Sequence, residues 1–529
     1  MIVPLTPVRF LYRGVDLFGK KVGIVCGAKR FTYAQFGERC ERLAAALHAH
    51  GIRPGDRVAY LSFNTHQLLE GYYGVVMAKA VVMPLNVRLT PPELITILNH
   101  AEARMLVFEN DFVPLVDHLR KACPSIERYI TTDDKIPQAD FTYEQLLAEG
   151  KPERVDYLSI DENSIAELFY TSGSTGTPKG VMLSHRTLYL HGLYVAATFN
   201  RDDDAVELHT IPLFHANGWG RPQTAPMMGV KQVMVRRFEP TTVFRLIQEE
   251  KATAMSLVPT MANALLNAPD LGKYDFSSLK QIHIGGAAAS PELVDRMERA
   301  FHCPVMGGYG LTETSPVATS ARDKSTAQYK DDIDRIHHRS MAGWPLPGCE
   351  IRVVDAEMHD VPRDMQSIGE VVIRGDNVMD GYYKDPQGTA AAMTGAWLRT
   401  GDMGVWDEEN YIHIVDRKKD IIISGGENIS SIEVEKAIFA HPAVFECAVV
   451  SAPDPKWGEI PVAFVVLKPG QKLTQDELCA FLQQRIAKFK MPRHIEFIEG
   501  QLPKTGTGKI MKRELREKFW AGKERRVQG

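Results

Sequence analysis

The sequence predicts an α/β fold in two parts, a large N-terminal domain of mostly parallel sheets with helices and a small α+β C-terminal domain. Three observations predict it. At 529 residues the chain exceeds what one hydrophobic core normally organises. Strand-like and helix-like patterns alternate through the first portion, the signature of parallel sheets covered by helices. Near Asp416 the pattern changes to a short run of strands and helices of about a hundred residues, enough to fold alone.

The elements follow in order. Phe31-Thr-Tyr-Ala-Gln-Phe36 leads into a helix over Glu38–His50, closed by Gly51. Short buried strands are expected at Val58–Leu61, Val81–Pro84 and Met105–Phe108, and again at 166–170 and 180–183 on either side of a loop. Ser290-Pro291 opens a helix with proline in its first turn. The charged pentapeptide Asp416-Arg-Lys-Lys-Asp420 is the expected boundary between domains 1–416 and 417–529. Beyond it, Ile421–Ile423 reads as a strand, and Ser430-Ser-Ile-Glu433 as a capping box opening a helix to Ala440. Strands at Phe445–Val450 and Val462–Leu467, a helix at Thr474–Phe489 and a strand at Ile495–Ile498 complete the module.

Composition excludes several functions. With 44% hydrophobic and 24% charged residues the chain reads as globular, and a net charge of −4 argues against nucleic acid as a partner. The basic end, seven Lys/Arg against three Glu over 512–526, reads as a solvated helix face. Seven scattered cysteines, none in a C-x-x-C spacing, give neither a disulfide framework nor a zinc site. The longest apolar run, Gly71–Val87, is broken by Lys79 and Pro84 and is too short to span a membrane. No signal peptide is evident, and a cytoplasmic protein is expected.

The stretch that points most directly to chemistry is Tyr170-Thr-Ser-Gly-Ser-Thr-Gly-Thr-Pro-Lys-Gly180. Hydroxyls at Thr171, Ser172, Ser174, Thr175 and Thr177 alternate with Gly173, Gly176 and Gly180 before the ammonium of Lys179. Glycines let backbone N–H groups close around an anion, and hydroxyls and lysine add donors and charge. The implied ligand is a polyphosphate. The loop is no Walker motif, because Pro178 precedes and Gly180 follows the lysine, and Gly308-Tyr-Gly310-Leu-Thr-Glu313 departs from G-x-G-x-x-G in its last glycine.

Further motifs follow: Pro212-Leu-Phe-His-Ala-Asn-Gly-Trp-Gly220, Gly285-Gly-Ala-Ala-Ala289, Gly308-Tyr-Gly-Leu-Thr-Glu-Thr314, Arg399-Thr-Gly-Asp402, Asp416–Asp420, Ser424-Gly-Gly-Glu-Asn428 and Pro503-Lys-Thr-Gly-Thr-Gly-Lys509. In this order, from Thr171 to Lys509, they resemble the adenylate-forming superfamily of acyl-CoA synthetases, luciferases and peptide synthetases, and most of all the bacterial medium- and long-chain fatty acyl-CoA ligases. The resemblance implies a small β subdomain in the large domain and a mobile C-terminal domain. It also implies ATP-dependent activation of a carboxylic acid to acyl-AMP, then transfer to coenzyme A.

In that chemistry a carboxylate attacks the α-phosphate and pyrophosphate leaves, so positive charge matters more than a strong base. The resemblance gives 171–179 to the leaving phosphates, Thr312 to the α-phosphate, and Glu313 to Mg²⁺, since a carboxylate beside phosphate needs a hard cation between them. It places Tyr309, Gly308 and Gly310 with Gly285, Gly286 and Ala287 around adenine, and Asp402 and Arg417 at the ribose. By the same resemblance Lys509 is expected to be the catalytic lysine of the first half-reaction, with Lys504 a solvated neighbour. Lys419 is the expected hinge, and Gly425, Gly426 and Glu427 the side presented to CoA.

His215 and Trp219, with Gly285, line the expected acyl path, where Trp219 either gates the path or packs as core. The absence of Asp or Glu from 212–220 disfavours an amino-acid substrate, and Arg221 either pairs with a carboxylate end group or faces solvent. The chain ends twenty residues after Lys509, so free CoA rather than a fused carrier is the expected acceptor. A short sulfur-containing or aromatic acid and a separate carrier protein remain the alternatives. A homodimer would be common for this resemblance, though no heptad pattern calls for one.

Overall fold

A computed structural model describes residues 2–171, 178–199, 202–425, 427–504 and 510–521. The chain divides into two compact units, residues 1–351 with 373–398, and residues 352–372 with 399–529.

Among the described residues the first unit holds two large sheets. In the eight-stranded sheet, Val81–Pro84, Arg57–Leu61, Ala103–Phe108 and Arg128–Thr131 run parallel as expected. At one edge Ile165–Thr171 joins Val81–Pro84 in parallel and then pairs antiparallel with Lys179–Ser184, which pairs antiparallel with Gly381–Tyr382. In the nine-stranded sheet, Val206–His209 lies between Lys231–Met234 and Ala254–Leu257, followed outward by Gln281–Ile284 and Val305–Gly310, all parallel. The chain reverses its direction of travel across the sheet at Val206–His209, and the carboxyl ends beside such a reversal are where open α/β sheets bind ligands. The residues after His209, Ile284 and Gly310 are three of the motifs found in the sequence.

Val58–Leu61, Val81–Pro84 and Met105–Phe108 are buried on both faces, which is why they read as apolar runs rather than alternating ones. The helix after Phe31 begins earlier than Glu38: it spans Tyr33–Ala49, because Thr32 and Gln35 form a reciprocal capping box. Ser290 caps Pro291–Phe301 by accepting from the Leu293 N–H, as its sequence indicates.

The second unit contains a mostly antiparallel sheet of Glu427–Ile429, Ile422–Ser424, Gly458–Leu467 and Val444–Asp454, with His494–Phe497 parallel at Gly458–Leu467. Ile422, Ile429, Val434, Ile438, Val449, Val465, Leu478 and Leu482 share its core. Ser430 caps Ser431–Phe439, but the Glu433 carboxylate turns outward to Lys490 Nζ at 2.7 Å, so only half of the expected box forms. That same ion pair draws Lys490 toward the first helix. The second helix is Gln475–Gln483, six residues short of the expected Phe489, and Lys488–Lys490 is a separate 3₁₀ turn.

Candidate active site

In the first unit the hydroxyl-rich motif is flanked by two antiparallel strands that bring Thr171 opposite Lys179. Ser172, Gly173, Ser174, Thr175, Gly176 and Thr177 lie outside the described residues. Lys179 Nζ stands 4.4 Å above the Tyr382 ring centroid and 3.7 Å from Asp385. The Tyr382 hydroxyl in turn donates to Glu313 Oε1 at 2.9 Å. Glu313 belongs to a 3₁₀ turn, Thr312–Thr314, directly after the strand Val305–Gly310. Its own carbonyl accepts from the Met379 N–H at 2.9 Å, and Asn377 Nδ2 donates to the Thr314 carbonyl at 2.9 Å. The segment 377–385 thus joins the exit of the phosphate motif to the Glu313 turn.

Sequence reasoning passed over this segment. The available signal was Asp385-Pro386, a helix start in which the Asp385 side chain accepts from the Gly388 N–H.

Close packing explains the glycines. A Cβ on Gly310 would sit 1.8 Å from the Pro316 carbonyl oxygen and 3.0 Å from the Val317 Cα. Gly310→Ala is therefore expected to cost roughly 3 kcal/mol, measured as a lower urea midpoint; an unchanged midpoint would contradict this approach. A Cβ on Gly285 would lie 3.0 Å from the Trp219 ring and 3.2 Å from the Gly308 carbonyl oxygen. Trp219 also reaches Gly286, which has φ +74° and is exposed beside Ala287. Trp219, Gly285, Gly286 and Gly308 are therefore neighbours, drawn from three motifs. Tyr309, half-buried, follows Gly308 on the strand paired antiparallel with Val317–Ser320.

The turn at 216–220 has left-handed backbone at Ala216 (φ +42°), Gly218, Trp219 (φ +62°) and Gly220. Such conformations in non-glycine residues concentrate where function requires a special geometry. His215 precedes the turn with an exposed side chain.

Arg221 does not face solvent. It is 3% exposed, 3.8 Å from Glu207 Oε1 and stacked 4.3 Å over the Phe199 ring. Burial lowers its pKa to about 9. It lies on the helix Ala216–Met228, whose described residues are buried on nearly every side, and its sequence neighbours give no sign of that burial.

In the second unit Asp402 and Arg417 are register partners on neighbouring antiparallel strands, with Nε 2.6 Å from Oδ1. Asp402 is 3% exposed, while Arg417 remains partly exposed. The pair presents a carboxylate held in place by a guanidinium, a geometry suited to vicinal hydroxyls. Asp416 is buried, accepting from the Ser431 and Arg417 N–H groups at 2.5 and 2.7 Å. Lys419 extends outward, and its carbonyl accepts from Arg516 Nη1 at 2.9 Å. Gly425 has φ +61°, and a Cβ there would meet the Trp457 ring at 2.7 Å; Glu427 is exposed across the same hairpin, opposite Ser424. Gly426 lies outside the described residues.

Lys509 also lies outside them, with the rest of 505–509. The base of that loop is closed by a bridge between Lys504 and Ile510 and by the Met511 N–H donating to the Pro503 carbonyl at 2.8 Å. Lys504 is not a solvated side chain: its Nζ is 2.7 Å from Glu446 Oε1.

Among the described residues no cluster of three or more His, Cys, Asp or Glu could hold a metal by itself. A cation at Glu313 would take one protein carboxylate and complete its shell with phosphate oxygens and water. That suits Mg²⁺, which keeps several waters and binds through one or two carboxylates plus phosphates.

Known proteins resemble this chain over nearly its whole length. Residues 12–383 match the family described as AMP-binding enzyme, and residues 433–509 match the AMP-binding enzyme C-terminal domain. A long-chain-fatty-acid–CoA ligase of Thermus thermophilus is 39% identical, covering 96% of this chain and 95% of that protein. A peroxisomal butyrate–CoA ligase of Arabidopsis thaliana is 35% identical over 97% of this chain and 93% of that one. The crystal structure of an anthranilate CoA ligase in complex with anthranoyl-AMP superposes with a TM-score of 0.86 at 26% identity, covering 98% of each chain. Through both matched segments and nearly its whole length, this chain belongs to the AMP-binding enzyme family.

Proposed function

We propose that this protein, an AMP-forming acyl-CoA ligase, activates a medium- to long-chain fatty acid with ATP and passes the acyl group to coenzyme A. The observation that carries the reading is the joining of Lys179, Tyr382 and Glu313, which sets a cation and a carboxylate side by side at the carboxyl ends of the strands. Lys179 and the hydroxyls of 171–177 serve the leaving phosphates, and Thr312 the α-phosphate. Glu313 holds Mg²⁺, which neutralises phosphate charge when bound. Tyr309, Gly308, Gly310, Gly285, Gly286 and Ala287 accommodate adenine, and Asp402 with Arg417 the ribose. Lys509 supplies positive charge between the carboxylate and the α-phosphate during adenylation. Turning at Lys419 then withdraws it and brings Gly425, Gly426 and Glu427 to the acyl-adenylate for the thiol, a gating step that keeps water from a reactive anhydride.

The fatty-acid assignment is supported by the relative named a long-chain-fatty-acid–CoA ligase and by the Trp219–Gly285 contact, since a large ring there would narrow the proposed acyl path. His215 lines the same entrance. Trp219→Ala is expected to raise kcat/KM for palmitate relative to octanoate about tenfold; an unchanged ratio would show that Trp219 packs as core and does not limit chain length. An aromatic acid is the second reading, favoured by the likeness to an anthranilate ligase. No helix among the described residues is long and apolar enough to cross a membrane, and the unpaired cysteines suit the cytoplasm.

A further inference from the structure

Glu313 and Lys179 carry opposite charges on different motifs, and both end on one side chain, Tyr382. The Tyr382 hydroxyl edge donates to Glu313 Oε1 at 2.9 Å, and its ring face lies 4.4 Å below Lys179 Nζ. A carboxylate and an ammonium at one phosphate site would neutralise each other if they met directly. Tyr382 instead engages each by a different part of its electron distribution, with the positive hydroxyl hydrogen toward the anion and the negative ring face toward the cation.

Tyr382 is itself well supported. Gly381–Tyr382 pairs antiparallel with Met182 and Val181, and the Tyr383 N–H donates to the Gly180 carbonyl at 2.7 Å. Asp380 accepts from the Ser184 N–H at 2.8 Å, and the Tyr382 N–H donates to Thr389 Oγ1 at 2.8 Å. Asp385 completes the seat of Lys179 at 3.7 Å.

We propose that Tyr382 is a positioning residue that fixes the spacing between the Glu313 carboxylate and the Lys179 ammonium, so that the two address different phosphate groups of one bound nucleotide. The proposal rests on the adenylating reading above. Its consequence is a division of labour within one side chain: the hydroxyl governs the metal-dependent part of nucleotide binding, the ring the metal-independent part.

The test is calorimetric binding of α,β-methylene-ATP to the full chain, with and without Mg²⁺, for the parent, Tyr382→Phe and Tyr382→Leu, with thermal midpoints recorded alongside. Tyr382→Phe keeps the ring, so it should bind the metal-free analogue as the parent does while losing about tenfold of the tightening that Mg²⁺ gives. Tyr382→Leu should show that same loss and bind the metal-free analogue about threefold more weakly as well. A phenylalanine variant with the parent's full Mg²⁺ response overturns the proposal, as does a leucine variant indistinguishable from the phenylalanine one. A parent that binds no analogue overturns the adenylating reading itself, and this proposal with it.

Discussion

Lys509→Ala is expected to lower pyrophosphate formation from ATP and acid by at least about a hundredfold, the loss typical of removing one charge-stabilising donor from a reacting centre. Thioester formation from preformed acyl-AMP should stay within about threefold of the parent, because the proposed role confines the lysine to the approach of the carboxylate and the α-phosphate. The loop is closed at its base by Lys504–Ile510 pairing and the Met511–Pro503 hydrogen bond, neither of which involves the Lys509 side chain. The helix that follows, Lys512–Trp520, is anchored by Lys512 to Glu435 at 2.8 Å and by Arg516 to Asp420 at 2.7 Å. The thermal midpoint should therefore not move. Equal loss in both half-reactions, with an unchanged midpoint, would remove Lys509 from its assigned role.

Glu313→Gln is the second large effect. Glutamine keeps the shape and an acceptor for the Tyr382 hydroxyl but removes the charge that a hard cation needs. We expect kcat/KM for ATP to fall about a hundredfold and the Mg²⁺ concentration needed for half-maximal rate to rise. Titrating Mg²⁺ at fixed ATP checks this. A variant with reduced rate but the parent's Mg²⁺ dependence would mean that Glu313 supports its turn and holds no metal.

Much of the first unit's framework was legible because parallel strands buried on both faces leave short apolar runs, as at Val81–Pro84, which matches its expected bounds. The antiparallel strands flanking the hydroxyl motif were legible from the apolar residues at 166–170 and 180–183. Helix ends were harder. The Thr32–Gln35 box was present in the sequence, but the aromatic residues around it obscured the start. Phe489 kept an apparent periodicity, but the helix ends at Gln483 and Lys488–Lys490 forms a separate turn.

Long-range pairing was the least visible. Arg221 lies inside because Glu207 and Phe199 receive it, and both precede it by more than ten residues. Lys504 likewise meets Glu446 from the preceding sheet. Tyr382 becomes part of the candidate site only because a two-residue strand docks it beside Lys179. Its sequence neighbourhood carries no charge pattern or glycine loop of the kind that announces a phosphate site.

The most direct measurement is pyrophosphate release with ATP and Mg²⁺ across acids from propionate to palmitate and a set of aromatic acids, each with and without CoA. The account predicts sustained turnover only when acid and CoA are both present, strongest for medium- or long-chain fatty acids. Turnover indifferent to CoA, or confined to aromatic acids, would contradict it.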